Sequence, residues 1–343
     1  MRCLFTSKEH LMEITQIVLA NRPKGNPTKE NFRFEKAQVP ALQEGQVLLE
    51  PLYISVDPYM RGRMNDAKSY TPPFQVDAPL EGGAVAKVLE SKSEVLQPGD
   101  MVLGALTWAT QAVAEAKKLQ KIDTNLSPAS YYLGILGMPG LTAYFGLLDI
   151  GQPKEGETVV VSGAAGAVGV VVGQIAKLKS CRVVGLAGSD EKAELLKKEF
   201  GYDAVINYKT TQNLRADLKA ACPNGVDVYF DNVGGEITDA VISLINFHAR
   251  IAICGQIAHY NDEKPQMGPR FLPLILTRSA LIKGFIVSNY HARFPEAMQH
   301  LATWVKEGKL HYQETIVDGF EQLPEAFLGL FTGQNQGKML VKV

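Results

Sequence analysis

Three glycines, Gly163, Gly166 and Gly169, stand three residues apart in the segment Thr158 to Gly169, TVVVSGAAGAVG. A β-branched run precedes them and a stretch rich in Val and Ala follows. That order reads as a strand, a tight turn and a helix, the context in which a glycine turn can hold the pyrophosphate of a dinucleotide. The phosphates would sit on unpaired N–H groups of the turn and helix N-terminus, contributed by Gly163, Ala165, Gly166, Ala167, Val168 and Gly169. Ala165 takes the place of the middle glycine of the commoner GxGxxG form, and its single methyl still leaves room for backbone to approach a phosphate.

The next strand end bears on which dinucleotide is held. Cys181 to Leu186 reads as a strand, followed by Ala187-Gly188-Ser189. An NAD site places an acid about 20 residues beyond the glycines to bind the ribose 2′-hydroxyl. Here that position is Gly188. Ser189 and Asp190 read as N-cap and first turn of a helix over 191–200, closed by Gly201, with Lys192 projecting from the first turn. A cation there opposes the positive end of the helix dipole, which a 2′-phosphate would offset. The cofactor expected is NADP(H), with a plain surface charge as the alternative role for Lys192.

These residues need a scaffold. Strands near 158, 182, 204, 226, 250 and 281 alternate with helical stretches, which predicts an α/β unit of two mononucleotide-binding halves. Residues 1 to about 128 are strand-like, punctuated at Pro40, Gly45, Pro51, Gly82-Gly83 and Pro98-Gly99-Asp100, and their alternation suggests a barrel-like domain. A helical passage starts at Pro128 and is interrupted at 137–140. The tail is expected to carry helices near 295–307 and 323–332 and a last strand over 338–343.

A chain of 343 residues with 46% hydrophobic content suffices for about two cores. Its net charge of −1 gives no sign of a nucleic-acid partner. No apolar stretch is long enough for a membrane span, and Arg2, Lys8 and Glu9 do not read as a signal peptide, so a cytoplasmic protein is expected. Cys3, Cys181, Cys222 and Cys254 form no CxxC pair and read as buried thiols rather than a disulfide framework or zinc site.

The combination of Leu52 to Met64 (LYISVDPYMRGRM), Gly137 to Tyr144 (GMPGLTAY), SGAAGAVG, Gly188 to Lys192 (GSDEK) and Asp231 to Gly235 (DNVGG) resembles one branch of the medium-chain dehydrogenase/reductase superfamily. That branch holds the prostaglandin reductases and alkenal double-bond reductases. Arg22-Pro23-Lys24-Gly25 also resembles the bacterial curcumin reductase type. The resemblance implies a GroES-like β-barrel catalytic domain over 1–128, a doubly wound Rossmann domain over 129–310 and a tail, 311–343, returning to the first domain. It also implies a homodimer through sheet edges.

The sequence supports a zinc-free chemistry within that superfamily. Its zinc alcohol dehydrogenases carry an early Cys and a GHE motif about 20 residues later, leaving an open fourth ligand position. The corresponding stretches, Ser55-Val56-Asp57 and Leu80-Glu81-Gly82-Gly83, contain neither Cys nor His. Without a Lewis acid, reduction is expected at a conjugated double bond, where the charge delocalises onto an enolate oxygen. The substrate expected is a small apolar enone or enal. A quinone reductase and a non-catalytic NADPH-binding protein are the rival readings.

The strand ending in Cys254 and Gly255 leads to Tyr260, on the side where such a sheet binds ligands. By resemblance Tyr260 bonds the nicotinamide ribose and helps stabilise the enolate; a merely packing aromatic is the alternative. Resemblance also gives Tyr208 near the adenosine, Asn232 after its strand (or as a simple turn residue), Phe285, Ile286 and Val287 along the nicotinamide, and Asn335 from the tail. Tyr53, Tyr59, Met64, Tyr70 and Met138 are expected to wall the substrate pocket, although several could equally be barrel core. Arg61 and Arg63 could grip a substrate carboxylate, but a pair two apart reads rather as a solvated strand face. No His, His259 included, sits in a nucleophile or metal pattern.

Overall fold

The computed structural model describes residues 12–343; Cys3, His10 and the N-terminal charges lie outside them. In chain order the first lobe contains β1 (Glu13–Leu19), β2 (Phe32–Gln38), β3 (Gln46–Ser55), α1 (Met60–Arg63), β4 (Glu81–Ser91), β5 (Met101–Thr107), β6 (Ala112–Glu115) and β7 (Gln120–Lys121). A helix, α2 (Met138–Phe145), leads into β8 (Thr158–Val161), α3 (Gly169–Leu178), β9 (Arg182–Ala187), α4 (Asp190–Phe200), β10 (Ala204–Asn207), α5 (Leu214–Ala221) and β11 (Val226–Asp231). Then come α6 (Gly235–Ile242), β12 (Ile245–Ile253), α7 (Leu272–Arg278), β13 (Leu281–Gly284), α8 (Phe294–Lys306), β14 (Glu314–Asp318), α9 (Leu323–Thr332) and β15 (Lys338–Lys342).

The nucleotide lobe is a six-stranded parallel sheet in the order β10-β9-β8-β11-β12-β13. Counted from β8 this is the order 3-2-1-4-5-6, and the reversal between β8 and β11 opens a crevice beyond the strand ends, where such folds take ligands. All four residues of β8 are buried, as a strand covered by helices on both faces requires. The close approach of α3 to β8 demands Gly169: a Cβ there would lie 2.4 Å from the Gly163 carbonyl oxygen. α3 begins at Gly169, and Gly166 in the turn before it bridges to Gly337.

The first lobe is barrel-like. β3 pairs along one edge with β4; its other edge is shared, with β6 taking Gln46–Leu49 and β15 taking Tyr53–Ser55. The tail thus returns to the first lobe, with β14 parallel to β15 and α9 packed into the same core. Among the described residues no helix is long and apolar enough to cross a membrane.

Candidate functional site

A cleft of about 1140 Å³ runs between the two lobes at the β8/β11 crevice. Its walls include the glycine turn from Gly163 to Gly169, Gly188, Lys192, Tyr208, Asn232, Cys254, Gly255, Tyr260, Phe285, Ile286, Val287 and Asn335, joined by Tyr59, Tyr70 and Met138. The sequence reading and the structure thus converge on one cavity. Three expected residues lie outside it. The Ser189 hydroxyl accepts the Lys192 amide and caps α4 instead. Met64 is 1% exposed in the first lobe's core, and the half-buried Tyr53 packs against core residues outside the cleft.

At one end of the cleft, Lys192 donates from Nζ to the Gly333 carbonyl (2.7 Å). Burial first, and then the nearby charge of Lys209, lower its pKa. Lys209 lines the same end and was not foreseen. A side chain in place of Gly188 would bring its Cβ within 2.8 Å of the Tyr208 hydroxyl, so Tyr208 would have to shift to admit an acid there. Two cations with an aromatic beside them, and no carboxylate at the strand end, suit the 2′-phosphate of NADP(H). The glycine cradle on the cleft wall suits the pyrophosphate, so the residues present fit the phosphate-bearing part of the dinucleotide.

The middle of the site hangs on Asp231, fully buried at the end of β11. Its Oδ1 accepts from Ser162 Oγ, the Tyr229 hydroxyl and the amides of Val233 and Gly234, all at 2.9–3.0 Å. Oδ2 accepts from Thr238 Oγ1 (2.7 Å) and Gln256 Nε2 (2.8 Å). One carboxylate thereby fixes both loops that carry Asn232 and Tyr260. The Asn232 side chain donates to the Ser162 carbonyl (2.7 Å), which aims its own oxygen away from that bond.

At the far end the Tyr260 hydroxyl accepts from the Gln256 N–H across a long 3.4 Å. Burial raises its pKa, so the phenol stays protonated at neutral pH and keeps its hydrogen to donate. The Cys254 thiol is pushed up to about 12, by burial and then by Asp231, and does not serve as a thiolate. His259 is not simply solvated: Nδ1 pairs with Asp262 (2.8 Å).

The floor holds a cation the sequence reading passed over. Lys338, 2% exposed on β15, donates to Val56 O (2.9 Å) and Met339 O (2.8 Å) and pairs with Asp57 (3.1 Å). Asp57 also accepts the Ser55 hydroxyl. Tail and first lobe are locked together beneath Tyr59. Arg61 and Arg63 lie on α1 rather than a strand face, and neither is simply solvated. Arg61 is 3% exposed, while Arg63 covers the Phe74 ring at 3.9 Å and bonds Pro72 O.

Comparison with known proteins matches residues 15–122 to a family described as the N-terminal domain of oxidoreductase and residues 167–303 to one described as zinc-binding dehydrogenase. YfmJ of Bacillus subtilis, named as an NADP-dependent oxidoreductase, is 59% identical over 330 residues, 96% of this chain and 97% of that protein. The NADPH-dependent curcumin reductase of Escherichia coli is 46% identical, covering 95% and 96%. The chain belongs to the medium-chain dehydrogenase/reductase family. Within that family it falls in the branch of the curcumin, prostaglandin and 2-alkenal reductases. CurA of Vibrio vulnificus, crystallised with NADPH, matches this family member with a TM-score of 0.92 at 44% identity, covering 96% of this chain and 99% of that one. Despite the second family description, among the described residues no group of three or more His, Cys, Asp or Glu could hold a metal ion.

Proposed function

We propose that this NADP-dependent oxidoreductase reduces the carbon–carbon double bond of small apolar α,β-unsaturated aldehydes and ketones without zinc. The observation that carries the reading is the Tyr260 hydroxyl in the wall of the cleft; Ser55-Val56-Asp57 and Leu80-Glu81-Gly82-Gly83, where zinc ligands would be expected, supply no Cys or His. When bound, NADPH would supply a hydride to the β-carbon, which leaves negative charge on the substrate oxygen until a proton from solvent is taken up at the α-carbon to give the saturated product. Tyr260 donates toward that oxygen, and the Asp231–Gln256 bond holds the loop that presents it. Tyr59, Tyr70, Met138 and the 285–287 segment exclude water and take the apolar part of the substrate.

The cofactor is assigned to Gly163, Ala165, Gly166, Ala167, Val168 and Gly169 for the pyrophosphate, Gly188, Lys192 and Tyr208 for the adenosine end, and Asn232, Cys254, Gly255, Phe285–Val287 and Asn335 toward the nicotinamide. The domain division at 128 and 310, with a returning tail, belongs to the same proposal, as does a homodimer through the exposed β13 edge. A bacterial curcumin reductase 46% identical over nearly the full chain supports the substrate class.

The test follows the label from C4-deuterated NADPH into trans-2-nonenal, in the presence of a chelator. Deuterium at the β-carbon and accumulation of the saturated aldehyde are expected. Tyr260→Phe should lower turnover by about 10- to 1000-fold, the upper end matching loss of a full oxyanion donor. Label on the carbonyl carbon, or activity lost with chelation, would overturn the proposal.

A further inference from the structure

Arg61 is buried to 3% exposure, yet its hydrogen-bond partners include no carboxylate. Its Nε donates to Asn261 Oδ1 (2.9 Å), Nη1 to Asn65 Oδ1 (2.7 Å) and Nη2 to the Gly25 carbonyl (2.8 Å). Burial depresses its pKa, with no charged neighbour opposing that effect. Desolvating a guanidinium against neutral acceptors is costly, and the three acceptors lie on three separate segments. Asn65 follows α1 itself. Gly25 sits in the Arg22-Pro23-Lys24-Gly25 motif that the cofactor and substrate assignments left without a role. Asn261 follows Tyr260 directly in the nucleotide lobe.

Further contacts tie the same pieces. Asn261 Nδ2 donates to Asn26 Oδ1 (2.7 Å), and Arg22 Nη1 donates to the Met64 carbonyl (2.9 Å). The segment Arg22 to Asn26 is thus anchored on the first lobe at Met64 and Arg61 and bonded to the nucleotide lobe at Asn261. Asn26, Tyr260, Asn261 and Asp262 all line the cleft, so the junction lies at its mouth.

We propose that Arg61 is a positioning residue: through Asn261 it fixes the loop presenting Tyr260, and with Asn26 it straps the segment Arg22–Asn26 across the cleft mouth. The planar fork of a guanidinium is what permits one side chain to serve acceptors on three segments. A point-charge ammonium could not reproduce that geometry. The positioning half of this inference rests on the role assigned to Tyr260; the strap does not.

The test uses the full chain with Asn261→Ala, which leaves Arg61 and Tyr260 in place. Limited trypsin digestion reads the strap at Lys24 and the loop at Arg270, both exposed. Turnover of trans-2-nonenal at saturating NADPH reads the positioning. Cleavage at Lys24 and Arg270 should accelerate about 10-fold as the junction opens. kcat should fall by about 10- to 100-fold, the cost of a misplaced catalytic group. The melting temperature should fall by no more than about 5 °C, since one half-buried contact to Arg61 is lost while the core keeps its packing. Asn261→Asp keeps an acceptor for Arg61 and should restore most of kcat while cleavage stays fast, because its bond to Asn26 is gone. Unchanged cleavage in Asn261→Ala overturns the strap; faster cleavage with wild-type kcat, or no rescue by Asn261→Asp, overturns the positioning role. Should Tyr260→Phe retain wild-type turnover, the assigned role of Tyr260 fails instead, and digestion alone judges the strap.

Discussion

Gly188 brings no acid to the strand end beside Tyr208, and Lys192 and Lys209 set two positive charges at the same end of the cleft. A charge-assisted contact with a phosphate contributes about 1.5–3 kcal/mol, or roughly 10- to 100-fold in affinity. Lys192→Ala should therefore weaken NADPH by that factor and leave NADH nearly unchanged, as read by cofactor fluorescence titration. Equal losses for both would remove Lys192 from the phosphate site. Lys192 was legible because a capped first turn fixes where its side chain projects. Lys209 was not, since a Lys in an irregular turn after a strand carries no periodic signal. Arg61 was misread, and Met64 was left open between pocket and core, for one reason: α1 is only four residues long, too short to show a helical pattern. It sets Met60 and Met64 four apart on one inward face and turns Arg61 to another. Tyr53 was misplaced by an irregularity in the β3–β4 register between Pro51 and Tyr53, which breaks the simple alternation of faces.

The parallel strands were read more securely than the residues between them, because a strand buried on both faces is a continuous apolar run whatever its partners. What that pattern cannot show is the polar tie at the amino ends of the strands. Arg250 on β12 donates to the Gly151 carbonyl (2.8 Å) and the Gln152 carbonyl (3.0 Å), and its guanidinium forks onto Glu157 just before β8. Burial alone would raise the Glu157 carboxyl, but Arg250 and the Lys154 amide outweigh it and hold the pKa below its ordinary value. With the folded value below the unfolded one, the pair stabilises the lobe above about pH 4.5 and loses that contribution as pH falls through the folded pKa. Glu157→Gln should lower unfolding stability by about 1–2 kcal/mol at pH 7, measured in urea. The gap to the native chain should close toward pH 3. A gap that stays constant with pH would mean that Arg250 acts through the carbonyls of Gly151 and Gln152 alone.

At the scale of the molecule, the tail joins what the sheets separate. β15 completes one edge of the first lobe, while Gly337 donates to the Ala165 carbonyl at 2.8 Å and bridges to Gly166 in the glycine turn. Asn335, between α9 and β15, lines the same cleft, and Lys338 is locked to Asp57 in the first lobe. Such a return was visible in the sequence as a last apolar strand, but its partner was not, since pairing across some 280 residues leaves no local trace. A dinucleotide seated on the turn therefore touches a segment continuous with both lobes, and its binding energy should stabilise the whole chain rather than one half. At 100 times its dissociation constant a ligand adds about 2.7 kcal/mol. NADPH at that excess should raise the melting temperature by roughly 3–6 °C in a single cooperative transition for a chain of this size. NADH at equal concentration should give a much smaller shift, and Lys192→Ala should bring the NADPH shift down to it. Two separated transitions, with only one moved by NADPH, would show that the tail does not couple the lobes.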